Sequence, residues 1–275
     1  MKKYRFIFYA LLFLSFITAL SACTGDTPRE RTKESMIDRV IRRGTLKIGM
    51  STFLPWAMKD KDGKLIGFEI DVAARLAKDM GVKAEFVPTQ WSGIIPALIT
   101  GKFDIIVGGM GITPQRNLKV NFSIPYDHTG MSIVASMKLA AGFHSLDDFN
   151  KPDVTLVVRM GSTSAAAVKK YMPKAKLRQF DDESQAVQEL LNGNAYGFVS
   201  SAPLPAFQAL KYPDRLFLPL KENFTKEPIA FAIKKGDFDS YDFLNNWITV
   251  VTAEGWIQER KHYWFETDEW RSRIK

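Results

Sequence analysis

Arg116 follows a glycine-rich turn, in the stretch "GGMGITPQRN" that covers residues 108–117. A guanidinium group presents a planar set of donors that meets a carboxylate through two parallel hydrogen bonds. Such a pair is strong where water is excluded, so this arginine would suit a site that closes around a carboxylate. The alternative is an exposed arginine at the start of a helix, which would pair weakly with a surface acid.

The glycines of this turn favour close approach of the backbone to a ligand rather than phosphate binding. Their spacing matches neither G-x-G-x-x-G nor a P-loop, and no Lys-Ser or Lys-Thr pair follows them. Glycine leaves space that a side chain would otherwise fill. The turn therefore predicts backbone contact with a small solute.

Other chemistries find little support in the sequence. Three histidines, at 128, 144 and 262, are scattered, without H-E-x-x-H and without a cysteine partner, so we predict no metal site and no cofactor. No G-x-S-x-G motif for acyl transfer occurs. Lysine and arginine are spread along the chain without an aromatic and basic cluster, so we expect no nucleic-acid partner.

The amino terminus predicts export and a lipid anchor. A basic start and the apolar run "FIFYALLFLSFITAL" lead to "LSAC", which ends at Cys23, the only cysteine. We interpret residues 1–22 as a signal peptide and the polar residues 23–35 as a tether. "LSAC" resembles the bacterial lipobox, which implies cleavage before Cys23, acylation of its thiol and attachment to a membrane facing the periplasm or the cell surface. The alternative is an uncleaved transmembrane helix, because the run approaches the ~20 residues that span a bilayer.

Removal of that segment would take away three basic residues and leave 35 basic and 30 acidic side chains, a net charge of +5 instead of +8. No second cysteine remains to form a disulfide, so the exported chain would depend on its hydrophobic core. About 250 residues suffice for two modest domains or one large domain.

Strands and helices alternate in two similar series that would position these residues. The first contains "TLKIGM", "KAEFVP" and "FDIIVGG" as strands, and the second contains "VTLVVRM", "KLRQF" and "YGFVSS". This order predicts an α/β fold with largely parallel sheets in two lobes, with residues 36–128 and 228–275 in lobe 1 and residues 129–227 in lobe 2. A chain that crosses twice between lobes creates a cleft, where small ligands usually bind.

Shorter patterns give details of the first lobe. "MIDRVIRRG" predicts a helix that ends at Gly44, with Ile37, Val40 and Ile41 on one helical face. Asp62 and Gly63 indicate a hairpin turn. The carboxy-terminal stretch that begins with "FDSYDFLNNWITVV" is predicted to be helical.

The order and spacing of several blocks resemble the family 3 bacterial extracellular solute-binding proteins, which capture polar amino acids and related solutes for ABC importers. The blocks include "ALITGKFDIIVGGMGITPQR", "FSIPY", "GST" and "LLNGNAYGFVSS". The resemblance implies a type II periplasmic-binding-protein-like fold of two α/β lobes, joined by two hinge crossovers. It also implies a monomer that meets an ABC permease in the membrane.

The resemblance assigns roles to four polar positions of the cleft. Arg116 would pair with the carboxylate of the solute, and the Gly109 carbonyl and the Gly111 N–H would face the solute. Thr163, at the start of a helix of lobe 2, would bind the same carboxylate, where free N–H groups favour an anion. Relatives often carry a hydroxyl side chain at the position of Gly111, which this chain lacks.

Aromatic residues are candidates for an apolar wall of the site. Phe53 and Trp91 match pocket positions of the family better than Trp56 does. The alternative for each of them is a place in the hydrophobic core, where aromatic side chains are more often found.

The sequence departs from amino-acid binders at Ser201. By the resemblance, amino-acid binders carry an aspartate at the corresponding position, and its carboxylate pairs with the α-ammonium group of the ligand. In this chain no acid occurs between Gly193 and Ala209. An unpaired buried ammonium costs several kcal/mol, so the solute should lack a free α-amino group or be held differently. Arg159 would either point into the cleft or face solvent or an acid such as Asp181.

Two other functions stay open. Cyclohexadienyl dehydratase has the same fold and resembles this chain in "FVPTQW", "FSIPY" and "HYWF", but its general-acid glutamate would correspond to Ala165 here. A sensor read by a receptor instead of a permease would use the same closing cleft. We therefore predict a solute-binding protein rather than an enzyme.

Overall fold

The first part of the chain builds a mixed sheet flanked by helices. The computed structural model describes residues 34–274. In chain order this part contains α1 (Met36–Arg43), β1 (Thr45–Met50), β2 (Met58–Lys59), β3 (Leu65–Ile66), α2 (Phe68–Asp79), β4 (Lys83–Pro88), a 3-10 helix (Trp91–Gly93), α3 (Ile94–Thr100), β5 (Ile105–Ile106), α4 (Pro114–Asn117) and β6 (Asn121–Phe122).

A second sheet follows and is enclosed between two short hinge strands. Its part of the chain contains β7 (Asp127–Thr129), β8 (Met131–Ser136), α5 (Met137–Ala140), α6 (Leu146–Phe149), β9 (Thr155–Arg159), α7 (Thr163–Tyr171), β10 (Lys176–Phe180), α8 (Glu183–Leu191), β11 (Gly197–Ser201), α9 (Leu204–Lys211), β12 (Leu216–Phe217) and β13 (Glu227–Ile229).

The chain then returns to the first sheet. It adds β14 (Ala232–Ile233), α10 (Phe238–Ala253), α11 (Trp256–Glu266) and a 3-10 helix (Glu269–Arg273). The predicted carboxy-terminal helical stretch is thus two helices, separated at Gly255, whose φ of 73° ends the regular helical geometry. Helices α10 and α11 bury Trp247 and Trp264 against the first sheet's core.

The two sheets share one pattern of strand directions. The first has the order β4-β1-β5-β14-β6 and the second has the order β10-β9-β11-β8-β12. In each sheet the strand next to a hinge, β14 or β8, is antiparallel to both of its neighbours, and the remaining pairs are parallel. The prediction of largely parallel sheets was therefore wrong for the hinge side, because a strand that enters or leaves a lobe has no helical crossover to orient it.

Two hinge strands join the lobes, which we define by their sheets: lobe 1 carries the first sheet and lobe 2 the second. Strand β7 pairs with β13 in an antiparallel ladder from Asp127–Ile229 to Thr129–Glu227. The predicted two-lobe α/β fold with two crossovers is confirmed. The residue boundaries given above for the lobes stay a prediction.

Local sequence signals explain several element ends. Helix α1 ends at Gly44, which takes a left-handed conformation with φ of 70° and donates to the Val40 and Ile41 carbonyls. The turn at Asp62 and Gly63 joins the antiparallel pair β2 and β3, as predicted. Of the three residues predicted to share one helical face, Val40 is buried whereas Ile41 is 56% exposed, because Met36 and Val40 form the buried face of this helix.

Candidate functional site

Arg116 is held at the edge of lobe 1 and reaches across to lobe 2. Helix α4 begins after Thr113, whose side chain accepts a hydrogen bond from the Arg116 N–H at 3.2 Å. The guanidinium donates from Nη1 to the Gly111 carbonyl at 2.8 Å and from Nη2 to the Gly161 carbonyl at 3.0 Å. Because Gly161 lies just before α7, this arginine bridges the two walls of the cleft.

The surroundings of Arg116 lower its pKa to about 10, mainly through burial. The nearby positive charge of Arg159 also lowers the pKa, whereas the carboxylate of Glu227 raises it. No acidic side chain among residues 34–274 forms a salt bridge with Arg116. The guanidinium is therefore held by backbone carbonyls, without a carboxylate partner from the described protein.

Thr163 and Gly111 meet from opposite lobes. Thr163 is the first residue of α7, and Ser162 is its N-cap. A Cβ atom placed on Gly111 would lie 3.6 Å from the Thr163 Cγ2 and 3.7 Å from the Arg116 Nη1. Three of the predicted site residues thus lie around one small space, at the amino end of a helix whose N–H groups favour an anion.

Gly109 illustrates the close packing of this turn. Its φ is 64°, in the left-handed region that favours glycine, and an added Cβ would lie 3.1 Å from the Phe53 ring. The glycine thus allows the aromatic ring of Phe53 to pack directly on the turn.

Arg159 has a different environment from Arg116. The residue is 4% exposed, and the guanidinium carbon lies 4.9 Å from the centre of the Phe53 ring and 4.6 Å from that of Trp91. Its Nε lies 3.4 Å from the Glu183 Oε1. The structure therefore decides between the alternatives: Arg159 faces the aromatic wall and an acid, but that acid is Glu183 and the exposed Asp181 is not its partner.

Glu183 is a buried carboxylate at the start of α8. Burial raises its pKa, while the charge of Arg159 and a hydrogen bond from the Ser200 hydroxyl, at 3.2 Å, lower it. Burial also lowers the pKa of Arg159. Within the described residues Glu183 Oε2 has no hydrogen-bond partner. The pair is thus a buried charge pair with unused acceptor capacity.

The aromatic wall joins the two arginines. The centre of the Trp91 ring lies 5.7 Å from the guanidinium carbon of Arg116, in lobe 1, and 4.6 Å from that of Arg159, in lobe 2. Phe53 stacks at 5.5 Å on Trp56, which is 1% exposed and belongs to the core behind the wall. Phe53 and Trp91 therefore lie at the cleft, whereas Trp56 supports them.

Ser201 lies at the end of β11, opposite Met131 of β8. Its side chain is partly exposed, whereas its neighbour Ser200 is buried and contacts Glu183. Two acids at the cleft, Glu183 and Glu227, were missed by sequence reasoning. Two features of the sequence could have pointed to them: Glu183 follows closely after the carboxyl end of a predicted strand, and Glu227 lies in the predicted second hinge.

A family model of bacterial extracellular solute-binding proteins, family 3, matches residues 46–267. The chain belongs to this family. Among curated relatives, cyclohexadienyl dehydratase of Pseudomonas aeruginosa is 25% identical and the match covers 96% of each chain. The L-cystine-binding protein TcyJ of Escherichia coli is 26% identical over 92% of this chain and 94% of its own.

Solved structures support the same assignment. An ancestral amino acid-binding protein, a precursor of cyclohexadienyl dehydratase, is 43% identical with a TM-score of 0.78, over 84% of this chain and 100% of its own. A binding component of an ABC transporter from Wolinella succinogenes, complexed with lysine, has the same identity and TM-score, over 84% of this chain and 99% of its own.

In this solute-binding protein a cavity of about 560 Å³ opens beside the aromatic wall. Lobe 1 lines it with Phe53 and Lys59, and lobe 2 lines it with Glu183, Gln188 and residues of α9. The described residues contain no group of three or more metal-ligating side chains and no helix long and apolar enough to cross a membrane. Cys23 lies outside the described residues.

Proposed function

We propose that this chain is an extracytoplasmic solute-binding lipoprotein that captures a small carboxylate-bearing solute, an amino acid or a related organic acid, for an ABC importer. The observation that carries the proposal is Arg116. Its guanidinium reaches both lobes, donates hydrogen bonds within the described residues only to backbone carbonyls, at 2.8 and 3.0 Å, and lies beside the amino end of α7. A carboxylate placed there would gain a bidentate partner and helix N–H groups.

The relatives support the solute class. Most are named as amino-acid-binding proteins, including those for L-cystine and glutamine, and one solved relative is complexed with lysine. In our proposal Arg116 and Thr163 bind the carboxylate, the backbone of Gly109 and Gly111 contacts the solute, and Phe53 and Trp91 border its body. Arg159 and Ser201 would complete the wall from lobe 2.

A thermal-shift screen of the mature protein against amino acids and small carboxylic acids tests this proposal. A ligand that binds only the folded state raises the unfolding midpoint as its concentration exceeds its Kd. Arg116→Ala should abolish the shift, whereas Lys119→Ala, which removes an exposed charge from the same segment, should retain it. If no carboxylate raises the midpoint of the wild type, this function is wrong.

Closure of the lobes is a second consequence. Among residues 34–274, strands β7 and β13 join the two lobes, so a bound solute should bring the lobes together about these strands. Small-angle scattering with the solute identified in the screen should give a smaller radius of gyration than without it. An unchanged radius would indicate a cleft that is closed before binding.

We further propose that Cys23 carries the lipid anchor. Cys23→Ala should release the protein from the membrane fraction, whereas Ser21→Ala should leave it attached. Retention of the Cys23→Ala protein in the membrane would favour an uncleaved helix instead.

The dehydratase relative makes an enzyme the second candidate. We favour binding alone, because the residue that would correspond to the general acid is Ala165, which is buried in lobe 2 and has no ionisable group that could donate a proton. The protein should therefore leave cyclohexadienyl substrates unconverted in an enzyme assay. A role as a sensor would use the same cleft, and neighbouring permease and ATPase genes would favour import.

A further inference from the structure

Glu227 lies close to the end of β11, where Ser201 leaves the cleft without a carboxylate. Glu227 begins the hinge strand β13 and pairs with Thr129 of β7. The Thr129 hydroxyl donates to the carbonyl of Ala202, the residue after Ser201, at 3.1 Å. The second hinge strand therefore brings an acid beside the position that β11 leaves neutral.

The carboxylate of Glu227 points to the space beside Gly111. A Cβ atom on that glycine would lie 3.3 Å from the Glu227 Oε2, in addition to its contacts with Thr163 and Arg116. A hydroxyl-bearing side chain at this position would crowd the carboxylate. The glycine at 111 and the acid at 227 thus fit each other.

The charges around this space suit a ligand with two opposite charges. Arg116 supplies a cation and Glu227 an anion, yet the two form no salt bridge within the described residues. The Glu227 Oε1 accepts a hydrogen bond from the Thr225 hydroxyl at 3.0 Å, which orients the carboxylate. A group with adjacent ammonium and carboxylate charges would satisfy both side chains.

We propose that Glu227 accepts the α-ammonium group of an amino acid whose carboxylate binds Arg116, in place of the acid that Ser201 lacks. The proposal rests on the function proposed above and narrows its solute class to α-amino acids. Glu183 is the less suitable acceptor, because its charge is already compensated by the buried guanidinium of Arg159, although its Oε2 has no hydrogen-bond partner within the described residues. The hinge position of Glu227 would also link recognition of the ammonium to closure.

Isothermal calorimetry with matched ligands tests the proposal. The probes are the common L-α-amino acids and L-cystine, and each that binds is compared with the acid that lacks only its α-amino group, for example 6-aminohexanoate for L-lysine. The variant is Glu227→Gln, which keeps the shape and removes the charge. The matched control is Glu222→Gln, which removes an exposed charge from the same segment.

Glu227→Gln should weaken the best-bound amino acid about 10- to 100-fold, as expected for loss of a hydrogen bond between charged groups. Binding of its desamino analogue should change less than about threefold. Glu222→Gln should change neither. Gly111→Ala should also weaken the amino acid, because the added methyl group displaces the carboxylate, and circular dichroism should show that both variants fold.

Two results would overturn the proposal. One is a wild type that binds the desamino acid as tightly as the amino acid. The other is a Glu227→Gln protein in which both ligands bind more tightly, since Glu227 would then act as the counter-ion of Arg116. If neither amino acids nor desamino acids bind the wild type, the proposed function itself fails.

Discussion

Two arginines face the same tryptophan from opposite lobes, and their environments differ. Arg116 of lobe 1 is partly exposed and donates only to backbone carbonyls, whereas Arg159 of lobe 2 is buried beside Glu183 and two aromatic rings. An arginine without an acidic partner can receive a carboxylate from outside. An arginine whose charge is already compensated inside the protein contributes to the wall of a cleft and to its stability.

The two lobes also differ in the partners that they provide for a buried acidic side chain. Lobe 2 buries a cation and an anion together, so that each reduces the cost of desolvating the other. Lobe 1 buries the carboxyl of Glu69 with a hydrogen bond from the Tyr126 hydroxyl at 2.7 Å and no cation among the groups that set its pKa. The lobes therefore solve the burial of an acid in different ways.

The largest effect should come from breaking the buried pair. Arg159→Leu should lower the free energy of unfolding by about 3–5 kcal/mol, because Glu183 would be left buried without its cation. Urea unfolding followed by tryptophan fluorescence measures this change. The matched variant Arg116→Leu should cost less, about 1–2 kcal/mol for its two hydrogen bonds to backbone carbonyls, because it leaves no carboxylate buried without its cation. Equal losses in the two variants would remove the distinction between the arginines.

Arg116, whose loss should affect stability less than that of Arg159, should matter most when solute binding is measured. Arg116→Ala should weaken the best-bound carboxylate solute by about 2–3 kcal/mol, near the lower end for loss of one partner of a hydrogen-bonded charge pair. Calorimetry with the solute found in the screen gives the value. Lys119→Ala serves as the control for a general loss of positive charge, and an equal effect of both variants would argue against direct contact.

Glu69 tests how lobe 1 compensates its buried acid. Burial raises its pKa from 4.5 to about 8. Below pH 4.5 both the folded and the unfolded chain hold the proton. As the pH rises towards 8 only the folded chain keeps it, so the free energy of unfolding should fall by up to about 1.4 kcal/mol per pH unit. Glu69→Gln should flatten this slope in urea unfolding between pH 5 and pH 8.

The control for the pH experiment is Glu85→Gln, which removes a more exposed acid from the same lobe and should keep the wild-type slope. A steep slope that persists in Glu69→Gln would assign the pH dependence to another group.

The smallest effect should come from Ser201. Ser201→Ala removes at most one neutral hydrogen bond to the solute, worth about 1 kcal/mol, and should therefore cost less affinity than Arg116→Ala. Calorimetry on both variants with one solute makes the comparison. A loss at Ser201 that equals the loss at Arg116 would show that the serine contributes as much to recognition as the arginine, contrary to this prediction.

Much of the fold could be predicted because its signals are local. Gly44 ends helix α1, as a glycine after a periodic apolar segment predicts. Asp62 and Gly63 form the hairpin turn that this residue pair favours. Alternating strands and helices predicted two α/β lobes. The antiparallel strands β8 and β14 could not be predicted in the same way, because their direction depends on where the chain crosses between lobes.

The site was predicted in part. The sequence brought attention to Arg116, Gly111 and Thr163, and the structure places them around one space. The sequence did not identify the two acids at the cleft, Glu183 and Glu227. Asp181 was the suggested partner of Arg159, yet Glu183, two residues later, turns inward at the first position of α8.

The sequence by itself determined most of the elements, the two-lobe architecture and the candidate residues for a carboxylate site, because periodicity, glycine turns and side-chain chemistry act over a few residues. Only the tertiary structure decided which charges compensate each other. Arg159 and Glu183 are 24 residues apart along the chain, and Glu227 is more than 100 residues from Gly111, yet both pairs meet at the cleft. Such meetings depend on how two lobes and their hinge strands pack, and no local pattern encodes them.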